Sequence, residues 1–177
     1  MEQKLNVEGS RIKKSKAQWS TKTLVRMAMF IAMSGIGAMI KIPSPTGTVA
    51  LDSAAGFYVA LALGFKEAAI VAALGHMFSG LTVGFSLTLP LHILIAVQMA
   101  FYVIAFRWIV DKFNLVVGVI GATILNGVLA PALFIPFFGT PFFVAMVIPL
   151  TVASFINILL ATFIYKSMER KGITSNG

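Results

Sequence analysis

The chain has no cysteine, which excludes disulfides, thiolate metal ligation, a cysteine nucleophile and lipid attachment through sulfur. Charge is scarce as well. Asp, Glu, Lys and Arg together make up 11% of the 177 residues, against roughly 25% in soluble domains. Six residues are acidic, and none stands in the middle of an apolar run, where a self-powered proton- or sodium-coupled carrier would place one. The sequence also lacks a glycine-rich phosphate loop ending in Gly-Lys-Ser or Gly-Lys-Thr, a His-Glu-x-x-His helix, and the paired aspartates of lipid-phosphate enzymes. No catalytic residue, metal site or cofactor is therefore expected. An ATP-driven function would have to borrow its ATPase from other chains.

What the chain has in abundance is apolar surface, with 58% hydrophobic residues and a mean hydropathy of +0.92. The expected fold is an all-α integral membrane protein, a bundle of about six transmembrane helices. Pro, Gly and charge divide the sequence into apolar runs at about 23–40, 51–64, 68–81, 89–108, 115–133 and 144–165. The second and third are shorter than the roughly 20 residues that cross a bilayer, so they must be buried, tilted or joined by loops that dip into the bundle. Three parts follow: a basic tail over residues 1–22, a six-helix transmembrane domain over 23–166 and a second tail over 167–177. The first tail has no small-residue cleavage site after a short apolar run, so it reads as cytoplasmic rather than as a signal peptide.

The net charge of +8 does not indicate nucleic acid, because the basic residues gather at the chain ends and between apolar runs. Seven Lys or Arg occur up to Arg26, and Lys66, Arg107, Lys112, Lys166, Arg170 and Lys171 fall on the same side if the N-terminus is cytoplasmic. That leaves Lys41 alone outside. By the excess of positive charge on cytoplasmic loops, both termini are predicted to be inside, in the cell membrane.

Neutral polar residues within apolar runs carry the functional signal. At a rise of about 1.5 Å per residue, His92 lies one turn inside the outer end of the fourth span and Gln98 about two turns deeper. His76 falls near mid-depth on the third, Asn126 in the outer half of the fifth, and Asn157 in the middle or inner part of the sixth. Phe57, Phe85 and Phe138 are among the aromatics flanking this region. An aromatic-walled pocket with a few hydrogen-bonding groups is the usual make-up of a small-molecule site. The same polar residues could instead bond neighbouring helices, and the phenylalanines could face lipid or core. The segment 43–53, stiffened by Pro43 and Pro45 and ending near Asp52, reads either as a lid whose aspartate accepts from ligand hydroxyls or as a connector with Asp52 capping the next helix. Ala28 and Ala32 share one face of the first span, where small residues let another helix approach.

The first-span stretch Ala28-Met29-Phe30-Ile31-Ala32, the long Pro/Gly outer loop, the basic tail and the six spans together resemble the substrate-binding S component of an energy-coupling factor transporter. The resemblance covers about Leu24 to Lys166. It implies docking through Ala28 and Ala32 onto a transmembrane coupling subunit joined to two ATPase subunits, and a ligand site formed by the first, third and fifth loops with the outer ends of spans four to six. The stretches Leu51-Asp52-Ser53, Leu74-Gly75-His76 and Leu89-Pro90-Leu91-His92 are most similar to members taking α-ribazole, a cobalamin precursor. Electrostatics points the same way. Carboxylate vitamins such as folate, biotin and pantothenate would favour a cationic partner, whereas thiamine, a cation, would favour a buried carboxylate. A neutral, hydroxyl-bearing aromatic suits this composition, which leaves riboflavin and pyrimidine- or pyridoxine-like precursors beside α-ribazole. A self-sufficient small transporter or channel and a non-transport membrane module stay open as other classes.

Overall fold

The computed structural model describes residues 19–47 and 49–172; the expected basic tail therefore lies outside the described residues up to position 18. Among the described residues the chain is all helical, with one isolated antiparallel bridge between Lys41 and Ala50. Six helices follow one another: α1 (Thr21–Gly37), α2 (Ala54–Ala62), α3 (Phe65–Val83), α4 (Leu89–Lys112), α5 (Leu115–Ala132) and α6 (Ile135–Arg170). The last three are long and apolar enough to cross a membrane.

Local chemistry sets most of the boundaries. The Ser20 hydroxyl accepts from Thr23 N–H to open α1, and Asn114 Oδ1 accepts from Val117 N–H to open α5, each satisfying a donor that the first helical turn leaves orphaned. Between α2 and α3 the chain turns at Gly64, whose φ of 137° suits a residue without Cβ. Phe65, Lys66 and Glu67 then form the first turn of α3 instead of the charged connector expected from the sequence. Glu67 sits favourably there against the helix dipole and accepts from the Trp19 indole N–H. Helix α4 runs four residues past Trp108, held by a double hydrogen bond from Arg107 Nε to Asp111 at 2.8 Å. Arg107 Nη1 also donates to the carbonyls of Ala60 and Leu61 at 2.9 and 3.0 Å, closing the C-terminal end of α2.

The expected loop before the sixth span is largely helical. Residues from Ile135 onward are wound, with one break at Gly139 (φ 77°, ψ 171°). Pro136 stands in the first turn, where its missing N–H costs nothing, and Pro141 opens the stretch after the break in the same way.

The polar side chains of the helices are mostly turned inward, and the outer surface is largely apolar. Ser34, Ser79, His92, Gln98, Thr123, Asn126, Ser154 and Asn157 are buried, while Ile36, Val97, Ile148 and Phe163 stand more than 60% exposed. This is the arrangement of a chain whose surroundings are hydrocarbon. Helix α2, nine residues long and buried along almost its whole length, fills the middle. Phe57, Val59, Val71, Val103, Phe106 and Ile158 pack there into the main apolar cluster, toward the C-terminal end of α4. A smaller cluster of Val49, Met146 and Ala153 closes the opposite end. A cavity lies between them.

Candidate functional site

A cavity of about 130 Å³ opens between the N-terminal half of α4, the middle of α3, the α1–α2 connector, the bent part of α5 and α6. One water needs roughly 10–15 Å³ of such space, so the cavity has room for a small molecule. Asp52, His76, His92, Gln98, Asn126 and Asn157 all line it, together with Ser34, Ser53, Ser79, Tyr102 and Ser154. Phe134, Phe142, Met146 and Leu150 supply apolar lining. No Lys or Arg of the described residues is on the lining, and no group of three His, Asp or Glu among them has metal-binding geometry.

Each polar side chain is placed by an identifiable local feature. His76 and Ser79 stand three residues apart on α3 and therefore share a face. His92 comes from the first turn of α4, where the Gly80 backbone leaves room: a Cβ on Gly80 would meet Phe85 at 2.9 Å and His92 Nδ1 at 3.2 Å. Asn126 sits in a π-helical turn, Leu125–Leu129, interrupting α5. Pro131 has no N–H to give to Gly127, and the wider turn accommodates that loss. Gly127 lets this turn lie on α6, since a Cβ there would come within 2.5 Å of the Thr151 backbone.

Three of the polar groups form a chain. His76 Nε2 is 3.1 Å from His92 Nδ1 with the rings stacked at 5.3 Å, and His76 Nδ1 is 3.9 Å from Asp52 Oδ2, an electrostatic contact too long for a direct hydrogen bond. Asp52 lies in the α1–α2 connector outside the helices. Burial pushes its carboxyl above the usual carboxylate range, opposed by a hydrogen bond from Ser79, by backbone amides and by the charge of Lys41. Deeper along α4, Gln98 Oε1 and Tyr102 Oη are buried without a hydrogen-bond partner among the described residues, and so is His92 Nε2. A buried polar group left unmatched costs about 1–3 kcal/mol, a cost that a complementary ligand removes.

Asn157 lines the cavity, yet its amide is committed to the fold. Oδ1 accepts from Ala54 N–H at 2.8 Å, and Nδ2 donates to the carbonyls of Ala50 and Ala153 at 3.0 and 2.9 Å. It caps α2 from more than 100 residues away and fixes the α1–α2 connector to α6. The local cap position is occupied by Ser53, whose side chain makes no cap bond, so Asp52 is not the cap of α2.

The three phenylalanines singled out from the sequence are not on the cavity wall. Phe57 is fully buried and packs edge-on against Phe106 in the main core. Phe85, held at a φ of 46°, reaches the site only through its edge-on contact with His92. Phe138 is 40% exposed and packs on Phe142 at 4.7 Å, behind the lining pair Phe134 and Phe142. Ser79 and Ser154 line the cavity and were not singled out. The signal that could have found them is spacing, since Ser79 follows His76 by three residues and Ser154 precedes Asn157 by three. On α1, Ala28 and Ala32 are exposed on the outer surface, away from the cavity.

Residues 22–168, most of the chain, match the family described as ECF transporter, substrate-specific component. Comparison with curated proteins gives no match.

Proposed function

Because the chain belongs to the family of ECF transporter substrate-specific components, we propose that it is the solute-capture subunit of an ATP-driven importer in the cell membrane, and that its solute is a small neutral vitamin or precursor, best matched by α-ribazole. The observation that carries the reading is the cavity's make-up. His92, Gln98 and Tyr102 of α4, each with a buried unpartnered atom, share the lining with Phe134, Phe142 and Met146, with Asp52 present and no lysine or arginine on it. A carboxylate-bearing vitamin would enter without a cation to pair it and beside a carboxylate, a combination that buried charge does not tolerate. A flat heteroaromatic with hydroxyls satisfies both the polar and the apolar lining. Riboflavin offers the same chemistry and is the nearest alternative.

In this reading all six helices sit in the membrane with both termini cytoplasmic, and the short α1 and α2 are accommodated by burial and tilt. The connector from Lys41 to Ser53 closes the outer mouth, tied down by Ile42 N–H donating to the Val49 carbonyl and by Val49 packing on Met146. Ala28 and Ala32 meet the transmembrane coupling subunit, which brings two ATPase subunits. Lipid covers the remaining apolar surface.

Reconstitution in proteoliposomes tests the energetic half of the proposal. Uptake of α-ribazole is expected only when the coupling subunit, both ATPase subunits and internal ATP accompany this chain. Uptake by the chain alone would instead identify a self-sufficient carrier.

A further inference from the structure

The contact between the two histidines has a chemical consequence. Between neutral imidazoles with His76 Nε2 and His92 Nδ1 3.1 Å apart, a single proton fits: one nitrogen donates and the other accepts. With Asp52 ionised, a proton on His76 Nε2 would leave the bare Nδ1 lone pair facing the carboxylate 3.9 Å away, an arrangement of like electrostatic sign. Placing the His76 proton on Nδ1 turns an attractive N–H dipole toward Asp52. His76 Nε2 then accepts from His92 Nδ1–H, and His92 Nε2 is left with a lone pair. That nitrogen belongs to a residue lining the cavity, 3% exposed, and it has no partner among the described residues.

We propose that Asp52 and His76 are positioning residues that fix His92 Nε2 as a hydrogen-bond acceptor in the cavity, so that the site selects an uncharged ligand donating a hydroxyl or N–H there, as a heteroaromatic riboside does. The proposal rests on the solute-capture reading and narrows its substrate class. Gln98 and Tyr102 extend the same wall six and ten residues further along α4, about 9 and 15 Å by helical rise, a length suited to a ligand with hydroxyls at one end and a ring system beyond. Phe134, Phe142 and Met146 give that ring an apolar surface. A ligand presenting only acceptors would place lone pair against lone pair at His92.

The chain has two histidines, so protein labelled with 15N in histidine gives two imidazole signatures, separated by comparison with His76→Gln. In solubilised full-length protein without ligand, His92 is expected to be protonated at Nδ1 and bare at Nε2. In Asp52→Asn, whose amide can donate to His76 Nδ1, the chain is expected to reverse and His92 to carry its proton on Nε2. A proton on His92 Nε2 in the unsubstituted protein, or an unchanged tautomer in Asp52→Asn, overturns the proposal. The second arm compares α-ribazole with its tri-O-methyl ether, which keeps the ring and the oxygen acceptors and has no hydroxyl donor. The preference of the unsubstituted protein for α-ribazole over the ether should shrink by about tenfold in both His92→Phe and Asp52→Asn, and an unchanged preference in both is contrary to the proposal. The two readings fail separately. Expected tautomers with neither compound bound remove α-ribazole and leave the acceptor in place, whereas tight riboside binding with a protonated Nε2 keeps the substrate and removes the acceptor.

Discussion

Replacing Ala28 and Ala32 together with tryptophan is expected to abolish association with the coupling subunit while leaving solute binding near that of the unsubstituted protein. Both alanines lie on the exposed face of α1 beside Leu24, Val25, Met29, Met33 and Ile36. The buried residues of the same helix, Met27, Ser34 and Gly35, turn inward, and Ser34 reaches the cavity. One side of α1 thus serves the site and the other is open to a partner helix. Small residues allow backbones to approach closely, and association in a membrane depends on that packing because lipid is as apolar as the side chains. Two indoles hold the helices apart without adding charge, so the bundle tolerates them. Co-purification with a tagged coupling subunit, set beside calorimetry on the same preparation, reads both properties. Undiminished co-purification would defeat the docking assignment.

Alanine at Asp52, His76, His92 or Asn126 is expected to weaken solute binding by about 1–3 kcal/mol each, roughly 5- to 150-fold. The four reach the cavity from the α1–α2 connector, α3, α4 and the π turn of α5, so no single local distortion removes them all. Asp52 and His92 each interact with His76, and the effects of the three should fall short of additive when combined. Asn126 stands apart and should add in full. Phe57→Leu supplies the contrast: its ring lies in the core against Phe106, so the substitution should lower thermal stability and leave the affinity of the folded fraction unchanged. Equal affinity across all four alanine variants would remove this cavity as the binding site.

The helices were legible because a chain in lipid must satisfy its backbone internally, which makes each apolar run between Pro, Gly and charge a helix. Boundaries were less so. The α2–α3 turn needs only the positive φ of Gly64, and nothing in Phe65-Lys66-Glu67 distinguishes a charged connector from a first turn that welcomes an acid. The start of α6 was obscured by Pro136 and Pro141, which read as loop residues but are tolerated in the first turn after a break. Within the site, His76, His92, Gln98, Asn126 and Asn157 could be picked out because a polar side chain in an apolar run has to point inward, and Asp52 because it ends the proline-stiffened connector. Whether it meets ligand or helix was not written there. Asn157 spends its amide on Ala50, Ala54 and Ala153, contacts that join positions more than 100 residues apart and leave no local pattern. Phenylalanines were the least legible, since Phe57 in the core and Phe134 on the cavity wall are equally apolar and equally periodic. The histidine chain depends on a contact between α3 and α4 and on Asp52 from a connector, a convergence that only the folded bundle reveals.

The central claim is that this cavity captures one neutral, hydroxyl-bearing aromatic solute. Calorimetry on detergent-purified protein against α-ribazole, riboflavin, thiamine and biotin tests it most directly. The account predicts tight, saturable binding of α-ribazole, with thiamine and biotin giving no heat above dilution. Selective binding of biotin or thiamine, or silence across the whole panel, would contradict it.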